Sequence, residues 1–402
     1  MSSGTVVGLD IGTSTVKVIV AKEPNQGGYM PEILGYGQYQ ANGLRHGYIT
    51  NRREATLSVR KAVRLAEKSA NTKINKVFLS VGGIGLSSHK SKGAIMITRA
   101  DSEVSDLDVE KAIEEALAQI PKQYITNRRV IHNIPVEFYL DGSPVLGNPQ
   151  GLKGTRLEAE VLFITSLEHH ISELIDVVEE SGLEIIDAMA APLAASLVTL
   201  TKAEKIAGCA MVNIGSETLS IVVYEDDKPI SLEVIQIGSN DITNDIAIGL
   251  QVGLDEAEKI KKGNDRGEDF GGAQKKLDEI VISRLSDMFE IVDAHLQKIG
   301  KKGLLPAGII ITGGGSRVTT IEDLAKAYLK LPSKLANIGC NIDDKTCHGN
   351  VKIKDAAWAV SYGLTLFGIN ADENGFVKGS SVNKLFKQTL RQVGGFIKRF
   401  LP

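Results

Sequence analysis

Two segments, one at the N-terminus and one past the middle of the 402-residue chain, set small, hydroxyl and acidic residues in the same order. Asp10-Ile11-Gly12-Thr13-Ser14-Thr15 lines up with Asn213-Ile214-Gly215-Ser216-Glu217-Thr218, and each lies between β-branched runs. A glycine at the bend of a strand hairpin lets backbone N–H groups approach an anion with no Cβ in the way. Successive N–H groups in such a turn form an anion-binding nest. Thr13, Ser14, Ser216 and Thr218 would add hydroxyl donors. Asp10 stands where a carboxylate can hold Mg²⁺ through water, since Mg²⁺ keeps several waters when it binds nucleotide phosphates. Lys17 falls on the outgoing strand, on the face of residues 13 and 15 by period-two alternation, within reach of the same phosphates. Glu217 opposes that chemistry: its charge disfavours a bare anion unless Mg²⁺ or Lys17 offsets it.

In isolation, either hairpin reads as a plain β-turn. The repeat, together with the strand-to-glycine turn Gly313-Gly314-Gly315-Ser316, points instead to a polyphosphate site. Glu258 and Lys261, in the run DEAEKIKKG, share a face if that run is helical and could contact one sugar. The same spacing also makes an ordinary surface ion pair.

The elements that must hold these residues follow from the pattern. Residues 5–22 form two strand runs broken at Gly12, with a third run at 32–39. Ala55, Val59, Ala62, Val63 and Ala66 recur at helical spacing within 51–70, and a strand at 77–81 ends in Gly82-Gly83. From 84 to 164 strands, a helix at 106–119 begun by Ser105 or Asp106, and a Pro/Gly-rich connector read as a small α+β insert. A helix at 168–181 and a strand at 183–187 return to the main body. A second lobe opens near Pro192 with a helix to about residue 200, followed by the hairpin 209–225, a helical charged stretch from about 240 to 302, a run at 308–318 that reads as a buried strand entering a glycine turn, and a helix at 319–330. The apolar helix 355–368 has small residues that favour close packing, and it places Trp358 in the core.

Hydrophobic content of 43% and charged content of 24% are ordinary for a soluble globular chain. A net charge of −3 gives no global bias toward nucleic acid, which is not an expected partner. Cys209, Cys340 and Cys347 are too few for a disulfide framework and suit a reducing cytoplasm. Cys340, Cys347 and His348 lack the fourth ligand and the C-x-x-C spacing of a zinc site. The N-terminus has neither the basic region nor the apolar core of a secretory signal, and no apolar run is long enough to span a bilayer.

Residues 370–381 are polar and glycine-containing, as a linker is, and 382–402 form a separate unit. There Val382, Leu385, Phe386, Leu390, Val393, Phe396, Ile397, Phe400 and Leu401 make one helical stripe, and Lys384, Lys387, Arg391, Lys398 and Arg399 supply positive charge with no acidic side chain. A basic face opposite Phe and Leu is the pattern for lying in a membrane interface; the lesser alternative is docking on the protein itself or in a partner's groove. Gly394-Gly395 weakens the helix in water by roughly 1 kcal/mol per glycine, so it is expected to fold on binding.

The first turn, with Asp10, Gly12, Thr13 and Lys17, resembles the phosphate-1 motif D-x-G-[ST]-x-x-x-K of the actin, Hsp70 and sugar-kinase superfamily. The second turn resembles its phosphate-2 motif, the GGGS turn its adenosine motif, and Glu258 with Lys261 its E-x-x-K on ribose and adenine. HNIPVEFYLDG, GNPQGLKGTRLEAEVLFIT and NDITNDIAIGLQVGLDEAEKIK are similar to one family within it, the actin-like bacterial cell-division proteins of the FtsA family, and the resemblance runs over roughly residues 5–400.

That resemblance implies an α/β, actin-like (ribonuclease H-like), two-lobed ATPase fold with an inserted α+β subdomain and a C-terminal amphipathic helix. Its subdomain 1A would comprise 1–83, 165–191 and the return helix 355–369. Subdomain 1C would be the insert 84–164, which helps subunits join head to tail. Subdomain 2A would comprise 192–227 and 306–354, and subdomain 2B residues 228–305. ATP and Mg²⁺ are the implied cofactors. The implied partners are the FtsZ C-terminal tail on subdomain 2B, further copies of the chain in filaments, and lipid under residues 382–402 at the cytoplasmic face of the membrane. A pilus-assembly scaffold and a small-molecule kinase of the same superfold are the rival readings. Active relatives carry an Asp where this chain has Asn213, and chaperone-like ones often an acid where it has Ala191, so ATP binding with slow or absent hydrolysis is expected.

Overall fold

The computed structural model describes residues 4–23, 31–263, 271–318, 320–338 and 355–373. The amphipathic segment 382–402 and the group Cys340, Cys347 and His348 lie outside the described residues.

The first lobe is a five-stranded sheet in the order Glu184–Ala190, Lys76–Val81, Thr5–Ile11, Thr15–Lys22, Glu32–Gln40. Its N-terminal hairpin is antiparallel, while Lys76–Val81 runs parallel to Thr5–Ile11. The helix Arg52–Ala70 covers this sheet. Asn51 caps its start, Oδ1 accepting the Glu54 N–H at 3.3 Å, and Asn71 ends it in the left-handed region. Ala55, Val59, Ala62, Val63 and Ala66 are all buried beneath it, as their spacing indicates. The helix Ala359–Glu373 packs against Thr5–Ile11 and runs past residue 369, where composition suggests a linker. Trp358 is buried, edge-on to Tyr36 at 5.2 Å.

The second lobe repeats the opening hairpin as Cys209–Ile214 and Leu219–Glu225. Lys228–Ile235 continues it on one side, and Gly308–Thr312 runs parallel on the other. Its strands alternate between two cores. Met211, Val222, Tyr224 and Ile310 join the apolar cluster of the first lobe. Ala210, Val212, Ile221, Ile309 and Ile311 join a second cluster with the helices Ser239–Leu250, Leu254–Lys261, Gly271–Lys298 and Ile321–Leu329. A sheet buried on both faces requires near-continuous apolar strands, which is how GIIIT reads.

The insert has its own core. Strands Ser87–Met96, Arg128–Leu140 and Arg156–Leu167 pack Phe138, Leu157, Val161 and Phe163 against Val109, Ile113 and Ala116 of the helix Asp106–Ala118. That helix starts with a reciprocal cap between Ser105 and Asp108. One edge of the insert's sheet meets the second lobe at the pair Glu233 and Ser87, giving a continuous nine-stranded sheet.

Candidate functional site

The two glycine turns are the same structure twice. Ile11 pairs with Val16 and Ile214 with Leu219, so each hairpin closes over four residues. Gly12 N–H donates to the Thr15 carbonyl at 3.2 Å, and Gly215 N–H donates to the Thr218 carbonyl at 2.8 Å. At both glycines an added Cβ would come to 3.0 Å from that carbonyl, so the bend is tight in each copy.

Asp10, next to last in the first strand, has only 8% of its surface exposed, and its carboxylate accepts a hydrogen bond from Ser80 Oγ at 2.8 Å. Lys17 stands across the ladder from it. Burial pushes the Asp10 pKa up, and the Lys17 charge and the Ser80 hydroxyl offset only part of that. A buried carboxylate left short of positive charge suits a cation at this position. Among the described residues no three His, Cys, Asp or Glu side chains gather as a metal cage. A single carboxylate fits Mg²⁺, whose other ligands are phosphate oxygens and waters.

The remaining predicted residues assemble around the second turn. Gly313, at φ +94°, has no room for a side chain: a Cβ would lie 2.3 Å from Asn213 Oδ1 and 2.4 Å from the Ile214 carbonyl. Gly315 lies against Ile214 and Ser239. Ser316 Oγ donates to the Gly313 carbonyl at 2.7 Å, closing the short 3-10 turn Gly314–Arg317. The N-terminus of Ser239–Leu250 docks on the turn as well, the N–H groups of Ser239 and Asn240 donating to the carbonyls of Gly215 and Ser216 at 2.9 and 2.8 Å.

Glu258 and Lys261 reach this helix from Leu254–Lys261. They pair at 2.6 Å, both bond the Thr243 hydroxyl, and Lys261 Nζ donates to the Ser239 carbonyl at 3.0 Å. Burial works against ionisation of Glu258, but its hydrogen bonds to Lys261 and Thr243 outweigh this and hold its pKa low. Burial lowers the Lys261 pKa despite that partner. The pair is therefore built into the site's wall rather than lying free on a surface.

One further element completes the site without a docking signal in its own residues. The two-stranded hairpin Leu44–Arg45 and Tyr48–Ile49 inserts its tip between the turns. Gly47 N–H donates to Thr13 Oγ1 at 3.0 Å, and His46 N–H donates to Glu217 Oε2 at 2.6 Å. The glycines of GLRHG are a turn signal, but nothing local says where such a turn docks. Ser80, Gln236 and Thr243 also escape sequence reasoning, because each is recruited by an element distant in the chain.

Two lobes, each led by a glycine-bent hairpin, with the bends brought together between them, define an actin-like fold. Solved structures share it. The PilM–PilN type IV pilus biogenesis complex aligns with a TM-score of 0.65 at 18% identity, covering 90% of this chain and 98% of that one. MreB5 of Spiroplasma citri bound to ADP aligns at 0.52 and 15% identity, covering 93% and 99%. At such identities the likeness concerns fold alone. Sequence goes further: residues 210–363 match the family model Cell division protein FtsA, and 83–165 match the SHS2 domain inserted in FTSA. The cell division protein FtsA of Borreliella burgdorferi is 31% identical over 357 residues, 83% of this chain and 85% of that relative. The chain belongs to the FtsA family of actin-like cell division proteins.

Proposed function

We propose that the protein binds Mg·ATP between its lobes, polymerises as an actin-like subunit, and tethers the FtsZ ring to the cytoplasmic face of the membrane at the division site. The observation that carries the nucleotide reading is the pair of equally closed turns at Gly12 and Gly215, with buried Asp10 opposite Lys17 on the first. The ADP held by the MreB5 relative in fold supports an adenine nucleotide. When bound, Mg²⁺ would neutralise phosphate charge. Asp10 would hold it through water, Lys17 would meet phosphate oxygens as a point charge, and the N–H groups of both turns would orient them.

Family membership favours this role over a pilus scaffold or a small-molecule kinase. On the family resemblance, Asn213 and Ala191 stand where active relatives carry an acid that orients metal or attacking water, a task general-base catalysis supplies at ~10²–10⁴-fold. ATP turnover is expected below about one per second, under ordinary enzymatic rates. Nucleotide then serves chiefly to hold the lobes in an assembling state. Subdomain 2B, 228–305, is the proposed dock for the FtsZ tail, on the family resemblance.

Among the described residues no helix is long and apolar enough to cross a membrane. The lipid contact is assigned to 382–402, where each basic residue contributes about 1 kcal/mol near an anionic leaflet and filament avidity multiplies the modest single-copy affinity. Co-sedimentation with anionic liposomes in Mg·ATP tests this. The full chain should pellet with lipid and form filaments there, and a chain truncated after Gly379 should not. Equal binding by both would remove the anchor.

A further inference from the structure

Glu217 is the only acidic side chain in either glycine turn, 12–15 or 215–218, and a fixed negative charge there works against a polyphosphate. Its carboxylate is nevertheless occupied. Oε2 accepts the His46 N–H at 2.6 Å, and His46 Nδ1 lies 3.4 Å from the same oxygen without the alignment of a hydrogen bond. His46 Nε2 is 3.0 Å from the Gln236 amide nitrogen. With Gln236 donating there, the ring proton sits on Nδ1, facing Glu217.

The tip that makes these contacts is held firmly. His46 takes φ +51° and Gly47 φ +83°, both in the left-handed region. The His46 carbonyl accepts the Ile84 N–H at 3.3 Å, and a Cβ on Gly47 would come to 2.3 Å from Gly83 Cα. Two successive tip N–H groups thus present themselves to the two turns, one meeting a hydroxyl of the first and the other a carboxylate of the second. An N–H at a phosphate turn donates to a phosphate oxygen as readily as to a carboxylate oxygen, both being charge-assisted acceptors.

We propose that Glu217 is an internal stand-in for the terminal phosphate of a nucleoside triphosphate. Without nucleotide it satisfies the His46 N–H and latches the hairpin tip of one lobe to the phosphate turn of the other. A triphosphate displaces the carboxylate and takes over that N–H; a diphosphate leaves the latch in place. Glu217 thereby makes the contact between lobes sensitive to the third phosphate. This inference rests on the Mg·ATP reading of the site.

Hydrogen–deuterium exchange at residues 46 and 47 of the full chain tests it, with Mg²⁺ plus a non-hydrolysable ATP analogue, with Mg·ADP, and without nucleotide. The native tip should exchange slowly in all three conditions. In Glu217→Ala it should exchange about ten- to a hundredfold faster without nucleotide, the range that loss of a charge-assisted hydrogen bond supports. The triphosphate analogue should restore protection and ADP should not. Glu217→Gln keeps an acceptor and should stay protected throughout, which separates latch loss from misfolding. A Glu217→Ala tip that remains protected without nucleotide, or that ADP restores equally, overturns the proposal. If neither the native chain nor Glu217→Ala binds nucleotide at all, the Mg·ATP reading itself fails. If both bind it in a Lys17-dependent way with no dependence on the third phosphate, only the stand-in fails.

Discussion

Asp10 and Lys17 face each other across the ladder of the first hairpin, and the lysine's charge only partly compensates the aspartate's burial. The native pKa of Asp10 therefore stays above its ordinary value of 3.8. For a raised carboxyl, the favourable contribution is complete below the unfolded pKa and is lost as pH rises through the folded one. At neutral pH the ionised group then weakens the nucleotide-free protein, a cost that a Mg²⁺–phosphate complex beside it would offset.

Replacing Asp10 by Asn should accordingly raise the denaturation midpoint of the nucleotide-free protein and abolish its stabilisation by Mg·ATP. For the native chain that stabilisation amounts to about 2.7 kcal/mol at a hundredfold excess over Kd. Denaturant titrations with and without Mg·ATP measure both effects. An Asn variant that keeps the full nucleotide gain would exclude Asp10 from the metal role.

How far this site can be read from sequence depends on how local each feature is. The turns at Gly12 and Gly215 are visible because a tight bend between β-branched runs is dictated within six residues. The buried face of Arg52–Ala70 is visible because helical period alone selects Ala55, Val59, Ala62, Val63 and Ala66. The strand Glu184–Ala190 extends beyond its apparent end at 187, because parallel pairing with Lys76–Val81 stabilises Ala188–Ala190, past a register shift near Asp187, against a partner the local pattern does not contain. The bonds from His46 to Glu217 and from Ser80 to Asp10 join residues 171 and 70 positions apart. No period or turn rule reaches so far; the packing of one lobe on the other selects those partners.

His132 predicts a specific acid response. It is buried on Arg128–Leu140, and its Nε2 accepts the Ala190 N–H at 3.0 Å, an arrangement only the unprotonated nitrogen can make. Burial pushes its pKa down to about 3 from 6.5. The unfolded chain therefore takes up a proton that the folded chain refuses, and stability falls as pH drops below 6.5 until the folded pKa is reached. The slope from this group is about 1.4 kcal/mol per pH unit. His132→Gln keeps an acceptor without the titration, so its unfolding free energy should decline less steeply between pH 6 and pH 4.5, read by urea denaturation. Parallel slopes would show that His132 is not the source.

The contact between Ala359–Glu373 and Ala191–Thr199 sets the last expectation. These helices approach so closely that a Cβ at Gly363 would fall 1.8 Å from the Ala194 carbonyl oxygen. That obstacle is backbone, so no side-chain rotation relieves it. Alanine is otherwise the better helix former by about 1 kcal/mol, and at a site open to solvent Gly363→Ala would stabilise the protein. Here overpacking of about 1–3 kcal/mol opposes and outweighs that gain. Gly363→Ala should lower the denaturation midpoint, and Gly363→Val should lower it further. Because Ala191–Thr199 begins at the end of the strand that borders Lys76–Val81, the separation of these helices should also perturb Ser80 and, through it, Asp10. Nucleotide affinity should therefore weaken with stability in the same variants. A stabilised Gly363→Ala would show that the helices separate at little cost.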